Sequence, residues 1–458
     1  MPTLPSAPSL LAPAPGLARA LDRAARRWDG ASVLRVEVPA APHDALAWLD
    51  GQRADAAFYW QGRDDAEARV ALGAALTLDT PGLEDTRAVR DALALLPPDA
   101  RLWTTARFDA TAEVGSEWAP FGTARFVLPR IEYRTDGRAA ALAVHVVPGE
   151  SLAEARRALA ALAPAATPDR DALALPYMRR DDPDRAEWGR MLRWALHAFD
   201  AGALDKVVLA RRARFLFEDA VDPVALLRRL EAATPRCFHA LVRAGDRTFL
   251  TATPERLVRI DGRAFQTEAV AGTRPRAEAD AADDRLRAEL LDSEKDQREH
   301  GYVRDAIADA LGPVTTALRV DDEASAMTLA RGRHLRTGIR GTLEAGVGPL
   351  EVLRALHPTP AVGGTPTPAA VDAIARLEPF DRGLYAGPIG WIGADAAGDL
   401  AADLAVGIRS GLVEGRSLSL YSGAGIVAGS DASSEWAEIE LKISDFARVL
   451  GLSDRASA

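Results

Sequence analysis

Apolar positions recur at helical spacing from Leu17 to Trp28, and the pattern then switches to alternation in VLRVEVPA, Val33 to Ala40. Two more alternating stretches, ARFVLPRIEYR and AALAVHVVPG, predict strands before an alanine-rich helix over Leu152 to Leu162. The residues before Leu17 are apolar but rich in proline, and 1–16 is expected to be a mobile tail. From Pro164 to Asp182 the chain is dense in Pro, Asp and Arg, which predicts a connection. Asp182 is then expected to cap a helix with Pro183 at its first position, Trp188, Leu192, Leu196 and Phe199 on its apolar face, and Gly202 at its end.

From Lys206 onward the texture changes to short apolar strands, glycine-rich turns and helices with charged residues at core-like positions. DKVVLARR predicts a buried strand with Lys206 at its mouth, and FLTATPERLVRI a pair of strands joined at Glu255. AVAGTRPR is expected to form a loop, offering N–H groups at Gly272 and Thr273 to a carboxylate or enol oxygen. LLDSEKDQREHGYVRDAIADAL predicts one helix with Leu290, Val303, Ile307 and Leu311 as its stripe and Glu299 within or beside it. The C-terminal stretch predicts a glycine turn at SGAG and a Ser-capped helix, with Trp436, Ile439, Ile443, Phe446 and Leu450 toward the core. Glu435, Glu438 and Lys442 share a neighbouring face of that helix.

Composition narrows the classes. The 458 residues are 48% hydrophobic and 27% charged, enough for a substantial core, so global disorder is excluded. Acidic residues outnumber basic ones 66 to 56, giving a nucleic acid no general attraction and requiring a local positive site for any anionic substrate. Cys237 is the single cysteine and can form neither an internal disulfide framework nor a multi-cysteine zinc site, in keeping with a cytoplasmic setting. No apolar run approaches the ~18 residues of a membrane span. HExxH, GxSxG, Walker and dinucleotide motifs are absent.

Several side chains carry chemistry if they are buried. Lys206 is a solvated gatekeeper or, in a dry pocket, a base whose pKa burial lowers. Glu255 is a turn residue or, if buried, a general acid. Glu299, with Glu294 and Asp296 on adjoining faces, belongs to a solvated acidic helix or to a Mg²⁺ site, which takes only one or two protein carboxylates. Glu438 and Lys442 are a surface pair, or one helix's contribution to a metal clamp. Arg409, in the alternating strand AVGIRSGLV, suits bidentate carboxylate recognition. His334 and His357 offer polar contacts.

Taken jointly, DKVVLAR, TPERL, AGTRPR, SEKDQREH, LHPTPAVGG, EPFDRGLYAGPIGW, IRSG, SGAGIV and EWAEIELK resemble the chorismate-utilising enzyme family, over roughly Trp188 to Leu452. That family includes isochorismate and salicylate synthases and the large subunits of anthranilate and aminodeoxychorismate synthases. The resemblance implies one large α/β (α+β) fold, two β-sheets packed together and covered by helices. Residues 17–180 would be its divergent N-terminal part, 181–453 its chorismate-binding catalytic region and 454–458 a short tail. Lys206 matches the lysine that activates water in isochorismate and salicylate synthases, where anthranilate synthases carry Gln. Ala271 stands where aminodeoxychorismate synthases place a nucleophilic lysine, and the run Leu356 to Val362 is typical of isochorismate synthases.

What the resemblance implies is therefore Mg²⁺-dependent interconversion of chorismate and isochorismate. Lys206 would be the base and Glu255 the acid. Glu299 and Glu438 would hold Mg²⁺, with Glu435 and Glu294 in or near its water shell. Arg409 and Lys442 would meet the enolpyruvyl carboxylate, with backbone at Gly272, Gly423 and Gly425 and the Thr273 hydroxyl close by, and His334 would line the pocket. A monomer without an amidotransferase subunit is expected, feeding menaquinone or siderophore synthesis.

Overall fold

A computed structural model describes residues 13–166, 175–277, 279–330 and 332–452. Most of the expected tail and the final residues lie outside this range. The first helix starts earlier than its periodicity suggests, spanning Pro13–Ala25, so Pro13 to Gly16 form its first turn. Pro164 to Asp182 is not wholly a connection. Met178–Asp182 is a strand pairing antiparallel with Lys206–Leu216, Asp182 opposite Arg212. The next helix, Arg185–Asp200, is capped by Asp184 rather than Asp182, in a capping box with Glu187. A cap of this kind contributes about 1 kcal/mol.

Among the described residues the strands form one hydrogen-bonded network of twenty, every pairing antiparallel. The two expected sheets are branches of it. They diverge at Ala124–Thr135, one edge of which pairs with Ala68–Thr80 and the other with Arg101–Ala106 and Ala140–Val146. One branch continues from Ala68–Thr80 through Ala56–Gln61, Phe238–Ala244, Arg247–Thr253, Ser410–Glu414 and Ser417–Val427 to Lys206–Leu216. The other runs from Arg101–Ala106 through Pro388–Ala394, Leu400–Val406, Arg256–Asp261 and Ala264–Pro275 to Gly332–Leu343.

The chain crosses between the branches at two short links that position the site. Arg247–Thr253 belongs to one branch and Arg256–Asp261 to the other, so Pro254 and Glu255 form a crossing. Leu400–Val406 and Ser410–Glu414 are split likewise, and Arg409 sits in that second crossing, not in a strand, with φ 49°. The crossings are tied together: Val406 N donates to Glu255 O at 3.1 Å and Ala252 N to Arg409 O at 3.1 Å.

Two glycine-containing segments expected as a loop and a turn belong to strands. AVAGTRPR is the end of a strand, Ala264–Pro275, whose register shifts between Ala271 and Arg274 around Gly272 at φ +69°. SGAG lies inside Ser417–Val427, an eleven-residue partner of Lys206–Leu216, and the following helix, Ala432–Val449, is capped by Asp431 rather than serine. The acidic helix is two, Asp280–Asp292 and Glu294–Leu311, broken at Ser293, whose hydroxyl accepts from Asp296 N. Leu290, Val303, Ile307 and Leu311 are buried as expected.

Candidate active site

The cavity lies between the two branches, roofed by Glu294–Leu311 and Ala432–Val449, with a volume of about 210 Å³. Register explains one wall. Val208 faces Gly425 and Ala210 faces Gly423 across the strand pair, so two glycines open space on the face that Lys206 shares. A Cβ at Gly425 would lie 2.0 Å from Glu299 Oε1 and 3.1 Å from Lys206 Cε. Glycine is needed there for the carboxylate to reach the sheet. Behind this wall, Arg382 and Glu378 form a buried ion pair that holds Val208 O, Val362 O and Ala210 N.

Lys206 is fully buried, its Nζ 3.1 Å from Glu299 Oε1. This contact is an ion pair without hydrogen-bond geometry, and among the described residues Nζ has no hydrogen-bond partner. Nζ meets the cavity at Glu299, which lines it. Glu255 is buried and also lines it. Its carboxyl is pushed up to about 8, first by burial and then by the Glu268 carboxylate, with Lys206 and Lys442 pulling the other way. Below that value it is a proton donor.

That shift makes a stability prediction. A folded-state value raised from 4.5 to about 8 means the stabilisation is complete below pH 4.5 and lost as pH rises through 8. Glu255→Gln has no charge to bury, so its melting temperature relative to wild type is expected to climb between pH 5 and pH 8.5. A difference that stays constant in melts at those two values contradicts the assignment.

The C-terminal helix supplies Glu438 and Lys442, both facing the cavity. Lys442 Nζ donates to Glu438 Oε1 at 2.8 Å and to Gly423 O at 3.0 Å. Burial pushes the Glu438 carboxyl up, but Lys442 and Lys295 outweigh it and hold it below the usual range. Glu435 lies buried outside the cavity wall, with Lys295 Nζ 2.8 Å from its Oε1, and burial raises its pKa. Glu294 is exposed on the first turn of its helix and does not line the cavity. Lys295, Asp296 and Arg274 were not assigned to the pocket by the sequence, yet all three line it. Arg274 Nη2 donates to Asp296 Oδ2 at 2.7 Å.

Gly272, Thr273, His334 and Arg409 gather at the same cavity. His334 Nδ1 lies 2.9 Å from Gly272 O and 3.1 Å from Thr273 Oγ1, and burial, reinforced by the Arg409 charge, pushes the imidazole down to about 3. It is neutral. A carbonyl can only accept, so Nδ1 carries the proton and Nε2 is an acceptor. His357 is instead bound to Arg107 O and Phe108 O, outside the site.

No group of three or more His, Cys, Asp or Glu among the described residues is arranged around one metal position. Mg²⁺ requires less than that. Glu299 and Glu438 present hard oxygen donors from two helices to one cavity, a set that fits Mg²⁺ completed by water and substrate.

The family profile described as chorismate binding enzyme matches residues 19–451. The chain belongs to this family of enzymes. It is 36% identical over 416 residues to the salicylate biosynthesis isochorismate synthase of Pseudomonas aeruginosa, covering 87% of this chain and 85% of that protein. It is 34% identical over 387 residues to isochorismate synthase 2 of Arabidopsis thaliana, covering 81% and 68%. The solved structure of MenF, the menaquinone-specific isochorismate synthase of Escherichia coli, superposes with a TM-score of 0.82 at 30% identity, over 95% of this chain and 99% of that one. Anthranilate synthase component I of Streptococcus pneumoniae shares the fold, at 19% identity and a TM-score of 0.60. No helix among the described residues is long and apolar enough to cross a membrane.

Proposed function

We propose that this protein is an isochorismate synthase, acting as a monomer without an amidotransferase subunit. The observation that carries the reading is a carboxyl pushed up to about 8 in the wall of a cavity whose other side chains suit a dicarboxylate, with a fully buried lysine against the cavity-lining Glu299. The isochorismate synthases among its relatives support it, and the likeness to the menaquinone-specific enzyme supports a product destined for menaquinone.

Water attacks C2 of chorismate and gives its proton to Lys206 Nζ. The ring double bonds shift, and the C4–O bond breaks as Glu255 protonates the departing hydroxyl, which leaves as water. The acid must be protonated at the start, and a carboxyl pushed up to about 8 meets that requirement at neutral pH. Arg409 and Lys442 bind the enolpyruvyl carboxylate, and neutral His334 accepts a hydrogen bond through Nε2. Glu299 and Glu438 would hold Mg²⁺, which supplies a counter-charge for the ring carboxylate. Ala271 lines the cavity where a lysine would supply an attacking amine, which argues against amination through that position.

Incubation with chorismate and Mg²⁺ is expected to give isochorismate as the product resolved by chromatography. Salicylate with pyruvate in its place would assign a salicylate synthase, and no turnover with retained ligand protection would assign a binding protein. Exhaustive chelation is expected to abolish turnover, with recovery on adding Mg²⁺; full activity after chelation removes the metal from the scheme.

A further inference from the structure

Glu255 is held from a direction that its own motif does not reveal. Its preceding carbonyl, Pro254 O, accepts from Arg63 Nη1 at 2.5 Å, and its following amide, Arg256 N, donates to Glu268 Oε1 at 3.1 Å. Arg63 and Glu268 are themselves joined, Nη1 to Oε1 at 2.6 Å and Nη2 to Oε2 at 3.2 Å. One ion pair therefore grips the peptide units on both sides of the acid. Arg336 Nε fixes the far oxygen of Glu268 at 2.6 Å. Arg256 Nη2 is bound to Asp64 Oδ2 at 2.7 Å.

Arg63 and Asp64 lie in the link between Ala56–Gln61 and Ala68–Thr80, in the N-terminal third, where the sequence offers no catalytic constellation. Neither Arg63 nor Glu268 lines the cavity. We propose that the Arg63–Glu268 pair is a positioning device for Glu255, through which the N-terminal third aims the acid and places a fixed negative charge near it. The charged and titratable groups facing Glu255 are Glu268 on the neighbouring strand, Lys206 on the opposite branch, Lys442 on the C-terminal helix and Tyr385 in the loop before Pro388–Ala394. Of these, only Glu268 is an anion that opposes ionisation of the acid. Arg63 and Arg336 hold Glu268 itself below the usual carboxylate range against its burial, so its charge persists across the working pH range.

This inference rests on Glu255 being the proton donor, and the tests separate the two. In the full-length enzyme, Glu268→Gln keeps the shape and can still accept from Arg63 and the Arg256 amide, but removes the charge. The basic limb of its kcat profile is expected to move to lower pH by about one unit, because a like charge nearby had held the acid protonated. An unmoved limb in a folded variant overturns the inference. Should Glu268→Gln melt below the assay temperature, Arg63 carries the test. Arg63→Gln is expected to lower kcat about 10-fold or more with KM for chorismate within about 2-fold, and Arg63→Lys to recover part of the loss. Equal changes in kcat and KM, or no recovery with lysine, overturn the inference. Activity retained in Glu255→Gln would instead remove the acid assignment, and the positioning role with it.

Discussion

Lys206→Ala is expected to abolish isochorismate formation, by about 10²–10⁴-fold, while chorismate still binds. The lysine is completely buried at the end of its strand, and its Nζ forms an ion pair with the cavity-lining Glu299 at 3.1 Å. The side chains assigned to substrate carboxylates, Arg409 and Lys442, sit on other elements, so deleting the amine leaves them in place. A direct product assay together with ligand-induced thermal protection checks both halves. Near-wild-type turnover sinks the base assignment; loss of protection with loss of turnover recasts Lys206 as a binding residue. Truncation also strips Glu299 of its buried counter-ion, so Lys206→Met, matched in volume, serves as the comparison for stability.

Gly425→Ala should be nearly as damaging to turnover, although it adds one methyl group in a strand. The new Cβ would stand 2.0 Å from Glu299 Oε1 and 3.1 Å from Lys206 Cε, so the carboxylate must leave its place against the sheet. What it meets is the far end of a flexible side chain, not backbone, so the fold is expected to tolerate it, with a melting temperature lowered by no more than about 4 °C. The reacting groups are not so tolerant: a displacement of about 1 Å in an active site can cost 10²-fold in rate. Turnover reduced about 100-fold in a protein with normal circular dichroism is the expected outcome. Unchanged kinetics would show that the position of Glu299 is immaterial.

Much of this site was legible because residue type and spacing reported it. An acid between two strands and Glu438 with Lys442 on the face next to a core stripe line the cavity, and the lysine at the mouth of an apolar strand lies behind its wall against Glu299. Backbone conformation was less legible. Glycines at 423 and 425 imitate a turn, because the usual use of glycine is conformational freedom, whereas here it is room for Glu299 and Lys206. Arg409 looked like one residue of an alternating strand, since nothing in IRSG reports a φ of 49°. Ser293 gives no sign of the helix break, because the apolar period continues from Leu290 to Val303 across it. Arg63 and Glu268 escaped entirely: they are 205 positions apart, and only the strand pairings bring them together.

The two crossings carry a consequence for selectivity. Glu255 and Arg409 each occupy a link where the chain changes branch, and backbone hydrogen bonds join the links to each other. Those bonds restrain the spacing between the Glu255 carboxyl and the Arg409 guanidinium, which would act as a ruler if the two have the roles proposed above. On the proposed reading, a substrate would be measured by the span from its departing hydroxyl to its side-chain carboxylate. Analogues that lengthen that span by one methylene should be rejected, however well their ring fits.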